Sequence, residues 1–108
     1  ILRDAGEYRL YYRGLPEAGK DLTVSEVTRL ALSKDGKHFT RPNLGLFDYR
    51  GRRDTNLILA NQPPYSSNFS PFLDTRPNLD PAQRYKALAG TQKGGLVAFQ
   101  SADGIHWK

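Results

Sequence analysis

Ser33-Lys34-Asp35-Gly36-Lys37-His38-Phe39 returns, 68 positions later, as Ser101-Ala102-Asp103-Gly104-Ile105-His106-Trp107. Each copy of this Ser-x-Asp-Gly-x-His-aromatic unit follows an apolar, β-prone run: Val27-Thr28-Arg29-Leu30-Ala31-Leu32 before the first, Leu96-Val97-Ala98-Phe99-Gln100 before the second. Asp-Gly after such a run is a hairpin turn, because glycine takes positive φ without cost and the aspartate accepts from backbone N–H groups. In each turn the serine is expected to bridge to the opposite strand and the aromatic to begin the returning one. The duplication makes this a repeat protein, and the repeated residues have structural work to do.

Working outward, residues 7–13 alternate, with Tyr8, Leu10 and Tyr12 on one side and Arg9, Tyr11 and Arg13 on the other, as a half-buried strand requires. Asp4-Ala5-Gly6-Glu7 reads as a tight turn, so residues 1–13 form one hairpin with a short first strand. Residues 14–25 read as a loop containing Pro16 and Gly19. Strands then follow at 27–33 and 37–41, on either side of the Asp35-Gly36 turn. The second unit is expected to hold four strands, at residues 69–74, 84–89, 95–101 and 105–108. Residues 44–49 and 56–60, around Arg50-Gly51, read as a hairpin outside the repeat. The one helical signal is Asp80-Pro81, where the aspartate caps and the proline is tolerated at the first helical position, enough for a single turn.

The expected fold class is therefore all-β, in antiparallel four-stranded meanders that match about two blades of a β-propeller. The chain is one fragment, residues 1–108, divided into a first blade at 1–41 that lacks part of its inner strand, an inserted hairpin and loop at 42–67, and a second blade at 68–108. It opens inside an apolar stretch, Ile1-Leu2, and stops after Trp107-Lys108, where a strand should still be running; the expectation is a piece of something longer.

Composition narrows the chemistry. With no cysteine, disulfides and thiolate metal sites are excluded. The net charge is +5, yet the bases are interleaved with acids, as in Arg3-Asp4, Lys34-Asp35 and Arg53-Asp54, and the densest cluster is Arg50-Gly51-Arg52-Arg53. No nucleic-acid partner is expected from that pattern. No apolar run approaches the ~20 residues of a membrane helix, so no membrane partner is expected either. His38 and His106 occupy equivalent places in different units and cannot share an ion, so no metal site is expected. No cofactor fingerprint is present.

Several stretches carry a family resemblance. Tyr8-Arg9-Leu10-Tyr11-Tyr12-Arg13-Gly14, the two Asp-Gly turns, Arg41-Pro42-Asn43-Leu44-Gly45-Leu46, and Asn68-Phe69-Ser70-Pro71-Phe72-Leu73-Asp74-Thr75 followed by Arg84-Tyr85-Lys86-Ala87-Leu88 resemble bacterial five-bladed propellers of the furanosidase-like glycoside-hydrolase superfamily, which includes arabinanases and invertases. The resemblance implies five blades around a central funnel, carbohydrate as partner, a secreted or periplasmic setting, and catalysis by carboxylates drawn from several blades. It also implies that the remaining blades are supplied by a parent protein or by self-association. Many members carry Arg-Asp-Pro at the start of an inner strand, and Phe69-Ser70-Pro71 stands at that place here, so a serine replaces the carboxylate. A hydroxyl binds sugar but carries no charge with which to tune a neighbouring acid.

The candidate substrate-binding positions are thus Asn68, Ser70, Asp74 and Arg13, with structural alternatives for the first three: Asn68 and Ser70 as the start of a strand, Asp74 as the cap of the Thr75-Arg76-Pro77 loop. Glu26, heading the third strand, is the candidate acid, with a solvated strand end as its alternative. Asp4 reads as a turn residue. Two functions remain open: a fragment of a glycosidase-like propeller that hydrolyses or binds polysaccharide, and a non-catalytic glycan-binding or scaffold propeller.

Overall fold

In the computed structural model, which describes residues 1–15 and 23–108, the chain forms two open antiparallel sheets. The first runs in the order β1 (Leu2–Asp4), β2 (Glu7–Gly14), β3 (Val27–Ser33), β4 (Leu57–Leu59). The second contains β5 (Ser70–Leu73), β6 (Tyr85–Thr91) and β7 (Gly95–Ser101). Helix among the described residues is limited to the 3₁₀ turns Tyr65–Ser67 and Pro81–Gln83, so none is long and apolar enough to cross a membrane. The second 3₁₀ turn is capped as expected, with the Asp80 side chain accepting from the Ala82 N–H at 3.0 Å.

Tight turns reverse the chain at both places expected, but the hairpin expected of residues 44–49 and 56–60 does not form: residues 44–49 make no strand, Tyr49 and Arg52 only bridge, and Leu57–Leu59 pairs with β3. Ala5 and Gly6 both take positive φ, 49° and 80°, between the paired Asp4 and Glu7, and Arg50 and Gly51 do the same at 53° and 78° between Tyr49 and Arg52. Two successive positive φ values match the twist of the strands they join. Most of the predicted loop before β3, residues 16–22, lies outside the described residues.

The two Asp-Gly turns are built alike, atom for atom. In the first, Ser33 Oγ accepts from the N–H groups of Asp35 and Gly36 at 3.2 and 2.9 Å and donates to Asp35 Oδ1 at 2.9 Å. Asp35 Oδ1 also accepts from the N–H groups of Lys37 and His38, each at 2.8 Å, and Oδ2 lies 2.6 Å from His38 Nδ1. In the second, the same contacts recur between Ser101, Asp103, Gly104, Ile105 and His106, at 2.7 to 3.3 Å. The serines therefore cap their own turns; they do not bridge to the opposite strand. Gly36 and Gly104 have φ of 75° and 73°.

The returning strands are shorter than expected. Thr40 exchanges two backbone hydrogen bonds with Leu32, at 2.8 and 2.9 Å, and Lys108 does the same with Gln100, at 2.9 and 3.1 Å, but neither continues as a strand. After Thr40 comes Arg41-Pro42, and a proline has no N–H for the ladder. The rest of the β3 edge is taken by β4, which lies in the segment expected to stand outside the repeat. The fourth strand of the first sheet is accordingly Leu57–Leu59 and not residues 37–41, and Val27, Leu57 and Ala60 form a core cluster under Phe47 and Tyr49.

Strand register extends the repeat beyond the seven-residue unit. Tyr8 lies opposite Ser33 as Tyr85 lies opposite Ser101, and Arg3 opposite Tyr8 as Leu73 opposite Tyr85. On this register Arg9 matches Lys86, Tyr11 matches Leu88, and Asp4 matches Asp74. Two copies of one three-stranded unit are therefore present, differing mainly in the connections between strands.

The copies are joined at a seam where the second turn sits on β2. Arg9 donates to the Asp103 carbonyl and Tyr11 Oη to the Gly104 carbonyl at 2.9 Å. Asp4 accepts from Tyr85 Oη and, at 2.9 Å, from Arg84 Nη2. Trp107 fills the gap, with its ring edge-on to Phe69, Tyr11 and Tyr85 at centroid distances of 4.9, 6.3 and 6.5 Å. Each such aromatic pair contributes ~0.5–1.5 kcal/mol beyond burial. The alternation in β2 marks a strand but not an inside and an outside: Arg9 and Tyr11 serve the seam, while Tyr8 packs against Gly36 of its own unit and the Tyr12 hydroxyl accepts from Asn56 at 3.0 Å.

The seam makes the two turn glycines unequal. A Cβ on Gly104 would lie 2.6 Å from Tyr11 Oη and 2.8 Å from Arg9 Nη1, whereas one on Gly36 meets only Tyr8, at 3.5 Å. Asparagine tolerates positive φ. Gly104→Asn is therefore expected to destabilise the chain by about 2–3 kcal/mol through overpacking, and Gly36→Asn by less than about 1 kcal/mol, as read by urea unfolding.

Candidate functional site

The residues singled out from the sequence do not converge. Glu26 is buried, with its side chain fully shielded and 3.2 Å from Arg13 Nη1, so it is neither a solvated strand end nor open to a ligand. Arg13, on the neighbouring strand, is committed to that pair on one side and partly exposed on the other. Asn68 spends its amide on the Gly90 backbone, donating to the carbonyl and accepting from the N–H at 2.9 Å. Ser70, at the start of β5, is exposed and donates to the Asn68 carbonyl at 3.1 Å. Asp74, just past the other end of β5, accepts from Arg76 Nη2 at 2.7 Å, from the Arg76 N–H at 3.1 Å and from Lys86 Nζ at 2.5 Å. It does cap the loop, as its structural alternative foresaw. Asp4, expected only as a turn residue, ends β1 and crosses the seam.

The electrostatics of these carboxylates suit anchoring more than proton transfer. Arg76 first, then Lys86, hold the Asp74 carboxyl well below the usual carboxylate range. Tyr85, by hydrogen bonding, is the main reason the Asp4 carboxyl is lowered, with Arg84 adding to it, and partial burial opposes both. Burial works against the charge on Asp103, but the His106 N–H and imidazole and the Ile105 N–H outweigh it, and the carboxyl ends far below its ordinary value. Burial, then the hydrogen bond to Asp4, pushes the Tyr85 hydroxyl upward, so it stays a donor. His38 and His106 each turn Nδ1 to the aspartate of their own unit, which gives both a local structural role.

A different group of side chains shares one cleft. Between β3 and the hairpin around Arg50-Gly51, a cavity of about 370 Å³ is lined by Arg29, Arg41, Arg50 and Arg52 together with Asn43, Tyr49, Asp54 and Asn56. The cleft owes its shape to the tight turn at Arg50-Gly51, which folds Tyr49 back over β3, where its hydroxyl reaches the Ser25 carbonyl at 3.3 Å. Two guanidiniums lie over the Tyr49 ring, Arg29 at 5.3 Å and Arg50 at 5.8 Å from its centroid. Arg29 is oriented by Asn56 Oδ1 at 3.2 Å, and Arg52 forms a two-pronged pair with Asp54 at 2.9 and 2.6 Å. Four guanidiniums face one carboxylate there, and the volume is that of a small-ligand site. Planar guanidiniums recognise carboxylates and sulfates by paired hydrogen bonds.

Sequence reading found half of this cleft. Arg50-Gly51-Arg52-Arg53 stood out as the densest basic cluster, but Arg29 and Arg41 are distant from it in the chain. The signal that could have joined them is a pairing of β3 with the 56–60 run, which sequence reading assigns instead to a hairpin with residues 44–49. Arg53 turns away from the cleft, to the Gly45 carbonyl at 3.0 Å and to Asp48. Comparison with protein-family models, curated proteins and solved structures finds no match to the chain.

The shifted carboxylates give a titration test. Asp4 and Asp103 have lowered values in the folded state, so their contribution to stability is complete above the unfolded aspartate value of ~3.9 and is lost as pH falls below it. Carbon-detected NMR should place the midpoints of Asp4, Asp74 and Asp103 below that value, and unfolding free energy should drop between about pH 4 and pH 2. Asp4→Asn should remove part of that pH dependence.

Proposed function

We propose that the chain is a two-blade portion of a β-propeller that binds saccharide without cleaving it, and that its ligand is an acidic sugar, carrying a carboxylate or a sulfate. The observation that carries this reading is the cleft of Arg29, Arg41, Arg50 and Arg52 around Tyr49. The propeller part rests on the repeated three-stranded unit and on the family resemblance of the sequence. Retention of binding over hydrolysis is favoured by Glu26 and Asp74: one is shielded with Arg13, the other held by Arg76 and Lys86. Hydrolysis needs a carboxyl group able to carry a proton near neutral pH.

In the bound state the acidic group of the sugar lies between Arg41 and Arg50, which are exposed and, among the described residues, paired with no carboxylate, while Arg29 donates to sugar oxygens and the Asn43 amide both donates and accepts. Arg52 is held by Asp54 and sets the wall. Tyr49 holds Arg29 and Arg50 beside the ligand through their contacts with its ring.

Isothermal titration with a uronate oligosaccharide, its reduced neutral counterpart and a single-stranded oligonucleotide of equal charge tests this. The acidic oligosaccharide should bind, Arg41→Ala and Arg50→Ala should each weaken it roughly tenfold, and added salt should weaken it further. Equal affinity for the neutral sugar or the oligonucleotide overturns the assignment, and release of reducing sugar restores the hydrolytic alternative.

A further inference from the structure

The seam between the two sheets uses two complementary surfaces, and each surface exists twice. One is the protruding part: the Asp-Gly turn with the tyrosine beneath it and the aromatic after it, namely Tyr85, Asp103-Gly104 and Trp107 in the second unit. The other is the receiving face of the first sheet, with Arg9, Tyr11 and Asp4. In the seam both are used, and Gly104 is buried by it.

The remaining pair is open. The protruding part of the first unit, by register, is Tyr8, Asp35-Gly36 and Phe39; Gly36 is exposed, although its turn is built like the seated one. The receiving face of the second sheet, by register, carries Lys86, Leu88 and Asp74 where the first carries Arg9, Tyr11 and Asp4. Around Leu88 the face is apolar and uncovered: Phe72 is 45% exposed, Leu88 43% and Leu96 72%. A cavity of about 360 Å³ runs along it, between Phe72, Leu88 and Ala98 and edged by Lys86 and Lys108. Such a contiguous apolar stripe with a polar rim marks an interaction surface.

We propose that a second copy of this chain seats its Asp35-Gly36 turn, Tyr8 and Phe39 on the Phe72–Leu88–Leu96 face of β5, β6 and β7, repeating the internal seam between molecules. The occupant follows from the match: the chain itself carries the one turn known to fit such a face, in a copy that is not seated. Leu88 in place of Tyr11 exchanges a hydrogen bond for apolar contact. The contact is head-to-tail, so it continues from copy to copy, closing as a ring or extending as a filament according to the rotation per step. It stands independently of the saccharide reading.

Sedimentation velocity over a concentration series tests it with two variants. Gly36→Asn blocks the protruding part by placing a side chain where the seated turn has none, and Leu88→Glu blocks the receiving face by adding a charge opposite Asp35. The unaltered chain should form oligomers larger than a dimer as concentration rises. Each variant alone should be monomeric, with association weakened roughly tenfold or more. An equimolar mixture of the two should stop at a dimer, because each variant keeps one working half. Circular dichroism checks that both fold; if Gly36→Asn does not, Phe39→Ala takes its place and should weaken association severalfold. An unaltered chain that remains monomeric to about 1 mM, the weak limit of specific association, overturns the proposal and leaves the face to a unit of another chain. A single variant that still forms large oligomers, or a mixture that stays monomeric, overturns it as well.

Discussion

The seating of one turn on one strand is the constraint from which the rest of this molecule follows. A sheet of three or four strands gains independent stability only when it has a hydrophobic face to bury. Docking the Asp103-Gly104 turn onto Arg9 and Tyr11 brings Trp107 between Tyr11, Phe69 and Tyr85, and lets Tyr85 be fully buried with its hydroxyl on Asp4. The polar contacts are what fix the geometry. An aromatic cluster tolerates sliding, but carbonyls held by a guanidinium and a phenol, with a carboxylate answering a buried tyrosine, do not. The close fit at Gly104 is the steric counterpart of the same constraint.

That arrangement explains why the turn is made so rigid. Its carboxylate accepts from two backbone N–H groups, a hydroxyl and an imidazole, and the serine oxygen takes two more N–H groups. With its donors satisfied internally, the turn offers its carbonyls outward, and Arg9 and Tyr11 take them. The conditions for docking are thereby met before the partner strand arrives, so little ordering is left to oppose it. The cleft on the far side of the first sheet is made by a second device, the tight hairpin that returns Tyr49 to β3, and the two do not interfere.

The sequence spoke clearly wherever the cause of structure was local. Asp4-Ala5-Gly6-Glu7, Asp80-Pro81 and the two Asp-Gly turns specify their backbones through side chains a few residues away, and β3 and β7 appear where their apolar runs lie. It spoke less clearly where long-range pairing decides. Residues 37–41 have strand-like composition, yet Pro42 ends their claim on β3 and Leu57–Leu59 takes the edge. Glu26 looked like the polar end of a strand because nothing in its neighbours reveals Arg13 across the sheet. The arginine cleft was half visible for the same reason: Arg50 and Arg52 announce themselves as a cluster, while Arg29 and Arg41 reach it only through folding.

The chain contains one tryptophan, and it lies in the seam. Its indole N–H donates to the Gly104 carbonyl at 3.2 Å, the carbonyl that Tyr11 also holds. The emission of that indole is therefore a built-in optical gauge of whether the two halves are locked together, separable from far-ultraviolet signals that follow the strands within each half.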